Sequence, residues 1–259
     1  MSIGFPTNTV VLILSTMIAS GTGAWFILSQ GLTRLPLAQH VRRTWRWGAA
    51  ILLITWLLIR LALAVYPPAG SGLGFQFLIT FTFLGLGLLA GILPLLISPV
   101  FRQIIRAIPE TWLVGIHAIR ITGFLFLALM DMKLLPAEFA LSAGYGDIIV
   151  GLLALGMVYL LAMRKPYARA LGIGWNLLGL LDFVSALTTG GIYILPFAAQ
   201  LAASGASLHY LNYVLIVPSF GVPLYTLLHI YSIYQLSSRR VGETEPAAEE
   251  PVRTPVFQR

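Results

Sequence analysis

Seven apolar stretches, each long enough to cross a bilayer, constrain this chain more than any other feature of its sequence. A membrane-spanning α-helix needs about 20 mostly apolar residues, because each residue advances the helix by about 1.5 Å. We therefore predict an all-α polytopic membrane protein with seven transmembrane helices, and the lipid bilayer as its partner. The predicted spans are Thr9–Gln30, Gly48–Tyr66, Phe75–Ile97, Trp112–Met130, Ala143–Met163, Ala168–Thr188 and Leu211–Leu236.

Two further apolar segments are too short to span, Leu134–Leu141 and Ile192–Ala203, and the second contains Pro196. We predict that both are interfacial or re-entrant segments. Only 10% of the residues are charged, whereas about 25% is usual in soluble domains. The chain has no cysteine, which excludes disulfides and thiolate chemistry.

The positions of Lys and Arg predict the orientation of the bundle. Alternate loops and the C-terminal segment hold thirteen of the sixteen basic residues, the other loops hold only Lys133, and Arg60 and Arg120 lie within predicted spans. Basic loops stay on the cytoplasmic side. We therefore predict that the N-terminus lies outside and the C-terminus is cytoplasmic, in a plasma (inner) membrane. The thirteen are Arg34, Arg42, Arg43, Arg46, Arg102, Arg106, Arg164, Lys165, Arg169, Arg239, Arg240, Arg253 and Arg259.

The same distribution bears on partners and on domain organisation. A net charge of +7 would suit nucleic acid, but charges at helix ends serve topology, so we predict no nucleic-acid partner. Residues 1–236 form one seven-helix transmembrane domain. Residues 237–259 are rich in Glu, Ala and Pro, and we predict a disordered cytoplasmic tail. The first and last three spans could also be parallel repeats.

A short set of polar residues lies within the predicted spans and is the candidate site. An ionisable group inside a membrane helix is costly, so it usually faces the bundle and finds a partner. These residues either bind a ligand or relay protons, or they form ion pairs that only fix helix register. The primary set is Arg60, Arg120, Asp147, Asn176 and Asp182, and the secondary set is His117 and His229.

Depth along the predicted helices suggests how these charges pair. Arg60, Asp147 and Asp182 all fall in the outer half of their spans, so we predict that Arg60 pairs with Asp182 or Asp147. Arg120 falls near mid-depth, and we predict that it faces a hydrated cavity. The two histidines fall further inward, away from the carboxylates.

Helical periodicity groups several of these residues into faces. His117, Arg120, Phe124 and Asp131 share one stripe of the fourth span. Small residues accompany the acids, and they permit close approach of a neighbouring backbone or a ligand. The sixth span groups Trp175, Gly179, Asp182 and Ala186, and the fifth groups Gly144, Asp147 and Gly151.

The seventh span contains two prolines, Pro218 and Pro223. Proline removes an intrahelical hydrogen bond and kinks a helix. The kink is either a static feature packed by its neighbours or a gating element. In the third span, Gly87 and Gly91 form a GxxxG pattern, which favours tight helix packing.

Several established chemistries do not match this pattern. Neither lysine, Lys133 or Lys165, lies within a predicted span, which excludes a retinal Schiff base. HExxH, GxSxG, P-loop and dinucleotide-binding motifs are absent from the sequence. Two histidines on two helices are a weak signal for haem. We therefore predict no metal and no cofactor.

Three functions remain open. The first is a transporter-like or small-solute-binding bundle, in which Arg60, Asp147 and Asp182 form an outer polar site and Arg120 meets an anionic group or a coupled proton. The second is a membrane enzyme acting on a lipid or quinone-like substrate, with Asp147 or Asp182 as acid or base and Arg120 holding a headgroup. The third is a non-catalytic subunit. The sequence does not indicate an oligomeric state.

Overall fold

The structure is a computed structural model that describes residues 7–70 and 72–238. Within these residues every regular element is a helix. The elements are α1 (Thr7–Thr33), α2 (Gln39–Val65), α3 (Leu73–Ile97), α4 (Pro99–Ala107), α5 (Glu110–Gly115), a 3₁₀ helix (Ile116–Gly123), α6 (Phe124–Asp131), α7 (Ala137–Ala162), α8 (Ala168–Ala203), α9 (His209–Val214), a π-helical turn (Val217–Gly221) and α10 (Val222–Ser238).

Seven helical stretches of the described chain are long and apolar enough to cross a membrane, which confirms the predicted number of spans. The fourth span, Glu110–Asp131, joins α5, the 3₁₀ helix and α6, and the seventh, His209–Ser238, joins α9, the π-helical turn and α10. The orientation of the termini stays a prediction. The predicted tail lies outside the described residues, except for its first two positions, which end α10.

The seventh span is the axis of the bundle. In its most apolar stretch 72% of the residues are buried, against 17–44% in the other six spans. It packs against α3, α5 and α8. A helix that is surrounded on all sides needs no lipid-facing surface, so its polar groups must find partners inside the protein. Polar side chains of this span therefore organise the interior.

The fourth span is interrupted at its centre by eight residues of 3₁₀ helix, Ile116–Gly123. Runs longer than three or four residues are uncommon, and a 3₁₀ stretch in mid-helix often marks a functional hinge or strain. With three residues per turn, positions i and i+3 coincide, and His117, Arg120 and Gly123 are all buried on that face. The predicted stripe is wrong beyond Arg120, because Phe124 is 48% exposed.

Two predictions about short segments are also wrong. The apolar segment Ile192–Ala203 is not re-entrant but continues α8, which runs for 36 residues with Pro196 inside it. At about 1.5 Å per residue this helix is about 54 Å long, well beyond the roughly 30 Å hydrocarbon core. Most of Leu134–Leu141 likewise belongs to α7, which begins at Ala137. Both helices are therefore longer at the predicted outer end than hydrophobicity alone suggests.

One short helix lies between the third and fourth spans. In α4, Phe101, Ile104 and Ile105 are buried, whereas Arg102 and Arg106 lie on the other face. Its start is well defined, because Pro99 occupies the first turn and the Ser98 hydroxyl accepts a hydrogen bond from the Phe101 N–H at 3.1 Å. Such an amphipathic helix suits the membrane interface.

Candidate functional site

The guanidinium of Arg120 contacts three other spans at the centre of the bundle. Its Nε donates to Oδ1 of Asp147 on α7 at 2.7 Å, and its Nη2 donates to Oδ2 of Asp182 on α8. Its Nη1 donates to Nε2 of His229 on α10 at 3.0 Å. Each of the three nitrogens therefore has a partner, and we call Arg120, Asp147, Asp182 and His229 the ionic cluster.

Aromatic rings cover the same guanidinium. The Cζ atom of Arg120 lies 4.1 Å from the ring centroid of Phe183 and 6.0 Å from that of Tyr225. A cation over an aromatic face is stabilised by the ring quadrupole, most strongly where water is excluded. The Tyr225 hydroxyl in turn shares a 2.7 Å hydrogen bond with Ser20 of α1. Three other spans thus contact Arg120 directly, and the first span holds one of these contacts through Tyr225.

A chain of hydrogen bonds continues from the ionic cluster toward the start of the fourth span. Arginine has no acceptor, so Nε2 of His229 accepts and Nδ1 carries the proton. This Nδ1 lies 2.8 Å from Oδ1 of Asn176, whose Nδ2 donates to Ser232 at 2.8 Å. The Ser232 hydroxyl donates to Oε1 of Glu110. We call His229, Asn176, Ser232 and Glu110 the buried polar chain.

Glycines allow these polar groups to meet. A Cβ at Gly146 would overlap the Asp182 carboxylate, and a Cβ at Gly179 would overlap the His229 ring. A Cβ at Gly123 would lie 2.5 Å from Cβ of Asp147. Gly144 and Gly151 are buried against the fourth span, as the predicted small-residue faces require. The helices approach closely because their contacting positions lack side chains.

His117 lies in an aromatic cluster beside the buried polar chain. It is fully buried, and its ring centroid is 4.0 Å from that of His229, 5.1 Å from that of Trp175 and 5.2 Å from that of Tyr225. Neither ring nitrogen has a hydrogen-bond partner among the described residues. The predicted separation of the histidines from the carboxylates is therefore wrong, because His229 contacts the same guanidinium as both acids.

A cavity of about 80 Å³ lies against the ionic cluster. Arg120, Asp147 and Asp182 line it on one side, and its other walls are apolar and aromatic, including Phe126, Phe139, Phe183, Leu187 and Tyr225. The seventh span contributes Val217, Pro218, Gly221 and Val222. Of the two predicted gating prolines, Pro218 lines the cavity. Pro223 does not line it and is the second residue of α10.

The predicted pairing of Arg60 is wrong, since both carboxylates pair with Arg120. Arg60 is fully buried, and its Nε donates to the Ser219 hydroxyl at 2.6 Å. Its two terminal nitrogens have no hydrogen-bond partner among the described residues. The Phe83 ring lies 5.9 Å from Cζ of Arg60.

The error in depth follows from the true ends of the helices. Because α7 begins at Ala137 rather than Ala143, Asp147 lies about 15 Å below the helix start rather than one turn below it. Because α8 continues to Ala203, Asp182 lies near the middle of its helix. Both acids therefore fall at the depth of Arg120.

Two residues that contact the site, Glu110 and Phe183, were not among the predicted site residues, for different reasons. Glu110 is 6% exposed but begins the fourth span, directly after Pro109. An acid at a helix N-terminus is an ordinary helix-start signal, so nothing in the sequence marks it as buried. Phe183 is one of fourteen phenylalanines. Its position next to Asp182 was the one available signal.

The donor set is poorly suited to a metal. The described residues contain no group of three or more His, Asp or Glu side chains arranged to hold a metal ion. An axial histidine pair would need a haem iron between the two rings, whereas His117 and His229 pack ring against ring. The contacts that these side chains do make are ion pairs and hydrogen bonds.

Fold and site together define a polytopic helical membrane protein with an ionic cluster at its centre. A family model described as a domain of unknown function, DUF8737, matches residues 75–237, and the chain belongs to that family. The matched region contains the ionic cluster and the buried polar chain, whereas α1, α2 and Arg60 precede it. No curated protein matches the chain. No solved structure matches it either.

Proposed function

We propose that this protein is a transporter-like bundle that binds a small organic cation in the cavity at Asp147 and Asp182, in exchange with a proton. The observation that supports this most directly is the charge of the ionic cluster. Two carboxylates share one guanidinium, so the cluster carries one net negative charge when both acids are ionised. An uncompensated charge in a low-dielectric interior is costly, and a proton or a bound cation removes that cost.

The charge balance around Arg120 favours a cationic ligand over an anionic one. Three of its five N–H groups donate to Asp147, His229 and Asp182. Two carboxylates already outnumber its single positive charge, so an anion that approached Arg120 would meet net negative charge. Arg120 uses only Oδ1 of Asp147 and Oδ2 of Asp182. The second oxygen of each carboxylate can therefore face a cation, either by accepting a hydrogen bond from a protonated amine or by attracting a quaternary ammonium ion through charge alone. This geometry also counts against the enzyme hypothesis in which Arg120 holds a headgroup.

The walls of the cavity suggest the rest of the ligand. Phe126, Phe139, Phe183 and Tyr225 supply aromatic surface near the acids, and aromatic faces attract alkylammonium groups. A volume of about 80 Å³ holds several waters, since one water needs roughly 10–15 Å³ measured in this way. The ligand class is thus a small amine or quaternary ammonium ion with an apolar part.

The buried polar chain fits a structural role beneath this site. Asn176 occupies its middle, and an amide does not readily accept and release protons at neutral pH. Protons would therefore reach Asp147 and Asp182 from the cavity, and the chain would hold His229 neutral and Arg120 fixed. The π-helical turn that borders the cavity is the candidate moving element, since such turns are frequent at functional sites.

Binding to the purified full-length protein tests the proposal. Benzyltrimethylammonium and tetramethylammonium would be titrated by calorimetry at several pH values. We expect saturable binding that weakens as the pH falls, because protons compete for the same carboxylates. Asp182→Asn keeps a hydrogen-bond acceptor but makes the cluster neutral, and it should weaken binding at least tenfold without unfolding the protein. Asp131→Asn is the matched control, because Asp131 is exposed.

A transport assay separates binding from transport. Proteoliposomes with an imposed pH gradient should accumulate benzyltrimethylammonium, and Asp147→Asn and Asp182→Asn should abolish the accumulation. If the folded parent binds neither cation, or if both variants bind as the parent does, the proposed function is wrong. Loss of stability in both variants without any cation binding by the parent would instead support the subunit hypothesis.

A further inference from the structure

A second cavity, which we call the apolar chamber, lies elsewhere in the bundle and is independent of the proposed cation site. Its volume is about 430 Å³, and it shares none of its lining residues with the cavity at the ionic cluster. Helices α1, α2, α3, α4, α5 and α10 contribute to its walls. Typical small-molecule sites have volumes of about 300–1,000 Å³, so the chamber is large enough for a specific ligand.

The lining of the chamber is almost wholly apolar. Trp25, Trp45 and Trp56 contribute three of the six tryptophans of the chain, and Leu227 and Tyr231 contribute from the seventh span. Among the residues that the structure describes, no charged side chain lines it. A ligand that fills such a space must present hydrocarbon rather than hydrogen-bonding groups.

Glycines shape the chamber in two ways. A Cβ at Gly87 would overlap the Trp56 ring, and a Cβ at Gly91 would overlap Leu227. These contacts account for the GxxxG pattern of the third span, because side chains of neighbouring helices pack directly against its two glycines. At Gly48, by contrast, a Cβ would meet no atom within 4 Å. Because Gly48 is exposed and also lines the chamber, the chamber is open to the outside of the bundle beside it.

Basic residues lie close to lining residues of the chamber along two of its helices. In α2, Arg42 and Arg46 lie within two turns of the lining residue Gly48, and α2 has no acidic residue. Trp25, which lines the chamber, donates to the Arg46 carbonyl at 3.0 Å. In α4, the lining residues Phe101 and Ile105 alternate with Arg102 and Arg106, and no acidic residue is present.

The arginines of α4 are held in place by neighbouring helices. Nη1 of Arg102 donates to the Leu96 carbonyl at 2.8 Å, at the end of α3. The guanidinium of Arg106 lies 5.3 Å from the Tyr234 ring centroid. An arginine cluster at the membrane interface attracts anionic lipid headgroups, and basic pockets between transmembrane helices bind them specifically.

We infer that the apolar chamber binds an anionic phospholipid of the adjacent leaflet, with an acyl chain inside and its phosphate among Arg42, Arg46, Arg102 and Arg106. Charge complementarity at the arginines and hydrocarbon walls within the chamber match the two parts of such a lipid. A protein partner would leave the arginines without phosphate, and a neutral lipid would not need them.

Fluorescence quenching by brominated lipid tests this inference directly, because three tryptophans line the chamber. Full-length protein in neutral detergent would be titrated with phosphatidylglycerol carrying a dibrominated acyl chain, and separately with phosphatidylcholine carrying the same chain. We expect saturable quenching by phosphatidylglycerol at a concentration at least fivefold below that for phosphatidylcholine. Equal quenching by both lipids would overturn the inference.

Two sets of variants locate the site. Gly48→Leu should obstruct the open side of the chamber and raise the half-saturating concentration at least fivefold. Gly156→Leu is the matched control, since Gly156 is exposed on α7 and a Cβ there also meets nothing within 4 Å. The double variant Arg46→Gln and Arg102→Gln should lose the preference for phosphatidylglycerol. Parent-like titrations for folded Gly48→Leu, or a retained preference in the arginine variant, would overturn the assignment.

Discussion

Nη1 of Arg120 lies 3.0 Å from Nε2 of His229, and this contact fixes the tautomer of a buried imidazole. Because the guanidinium only donates, Nε2 must be unprotonated. The neutral ring then donates from Nδ1 to Oδ1 of Asn176, 2.8 Å away. A second proton on His229 would oppose the Arg120 charge and would remove the acceptor. Arg120 therefore carries the single positive charge of the ionic cluster, and two carboxylates surround that one charge.

Replacing His229 with Phe should destabilise the protein while keeping most of the ring volume. The substitution leaves Nη1 of Arg120 and Oδ1 of Asn176 buried without their partner. Each orphaned polar group costs roughly 1–3 kcal/mol, so we expect a loss of about 2–6 kcal/mol. Unfolding in mixed micelles would measure this loss. His229→Gln retains polar atoms and should lose less, and equal stability of parent and Phe variant would contradict the tautomer argument.

Double-mutant cycles should separate the true ion pairs from the one that sequence suggests. Arg120→Gln and Asp182→Asn are predicted to couple, because the two side chains form a direct buried pair. Arg120→Gln leaves two buried carboxylates without a counter-charge and should cost roughly 3–5 kcal/mol. Asp182→Asn leaves Arg120 paired with Asp147 and should cost less, and the double variant should lose less than the sum of the two.

The control cycle combines Arg60→Gln with Asp182→Asn. Arg60 donates to Ser219 rather than to either acid, so the two effects should add within about 0.5 kcal/mol. Unfolding free energies of the single and double variants provide both results. Additivity in the Arg120 cycle together with coupling in the Arg60 cycle would restore the pairing predicted from the sequence.

Gly146→Ala should perturb the cation site through the packing of its acid. A Cβ at this position would overlap the Asp182 carboxylate, so the carboxylate or the α7–α8 contact must move. We expect lower thermal stability and at least tenfold weaker cation binding. Gly156→Ala, on an exposed face of the same helix, has open space and should gain up to about 1 kcal/mol from helix propensity. Parent-like behaviour of Gly146→Ala would show that the cluster tolerates displacement.

The sequence predicted the spans well and the partners of the charges poorly, for a physical reason. Hydrophobicity reports which residues cross the membrane, and it placed Arg120, Asp147 and Asp182 inside correctly. Hydrophobicity predicted the outer ends of α7 and α8 wrongly, because these helices continue through polar and small residues such as Ser142 and Gly190. An error of several residues in a helix end is an error of about 10 Å in depth, which exceeds the reach of a salt bridge.

The local helix type of the fourth span was also beyond the sequence. The stretch Ile116–Gly123 has ordinary composition for an α-helix, yet it forms a 3₁₀ helix against the glycines of α7. The change from 3.6 to 3.0 residues per turn moves Gly123 onto the face of Arg120 and turns Phe124 outward. Tertiary contacts decide this choice, and they are invisible in a single sequence.

Reporter fusions test the predicted orientation, which rests on the distribution of Lys and Arg. A reporter at Ser2 should be active outside, and one at Arg259 should be active in the cytoplasm. The seven spans require opposite sides for the two ends. Signals from the same side would contradict the number of spans, whereas a swapped pair of signals would contradict only the orientation. Replacing Arg42, Arg43 and Arg46 with Gln should weaken the bias, because it removes three of the four basic residues between the first two predicted spans.

The last prediction concerns Arg60 and Ser219, which join α2 to the π-helical turn. The Ser219 hydroxyl accepts from Nε of Arg60 at 2.6 Å and donates to the Leu215 carbonyl at 2.8 Å. Ser219→Ala removes the hydrogen-bond acceptor of a fully buried guanidinium, so we expect a loss of roughly 1–3 kcal/mol. Adding Arg60→Met to Ser219→Ala should recover stability, because an apolar side chain of similar length needs no acceptor. Ser15→Ala, an exposed serine bonded within α1, is the control and should melt as the parent does. If the double variant is less stable than Ser219→Ala alone, Arg60 contributes through a partner other than Ser219.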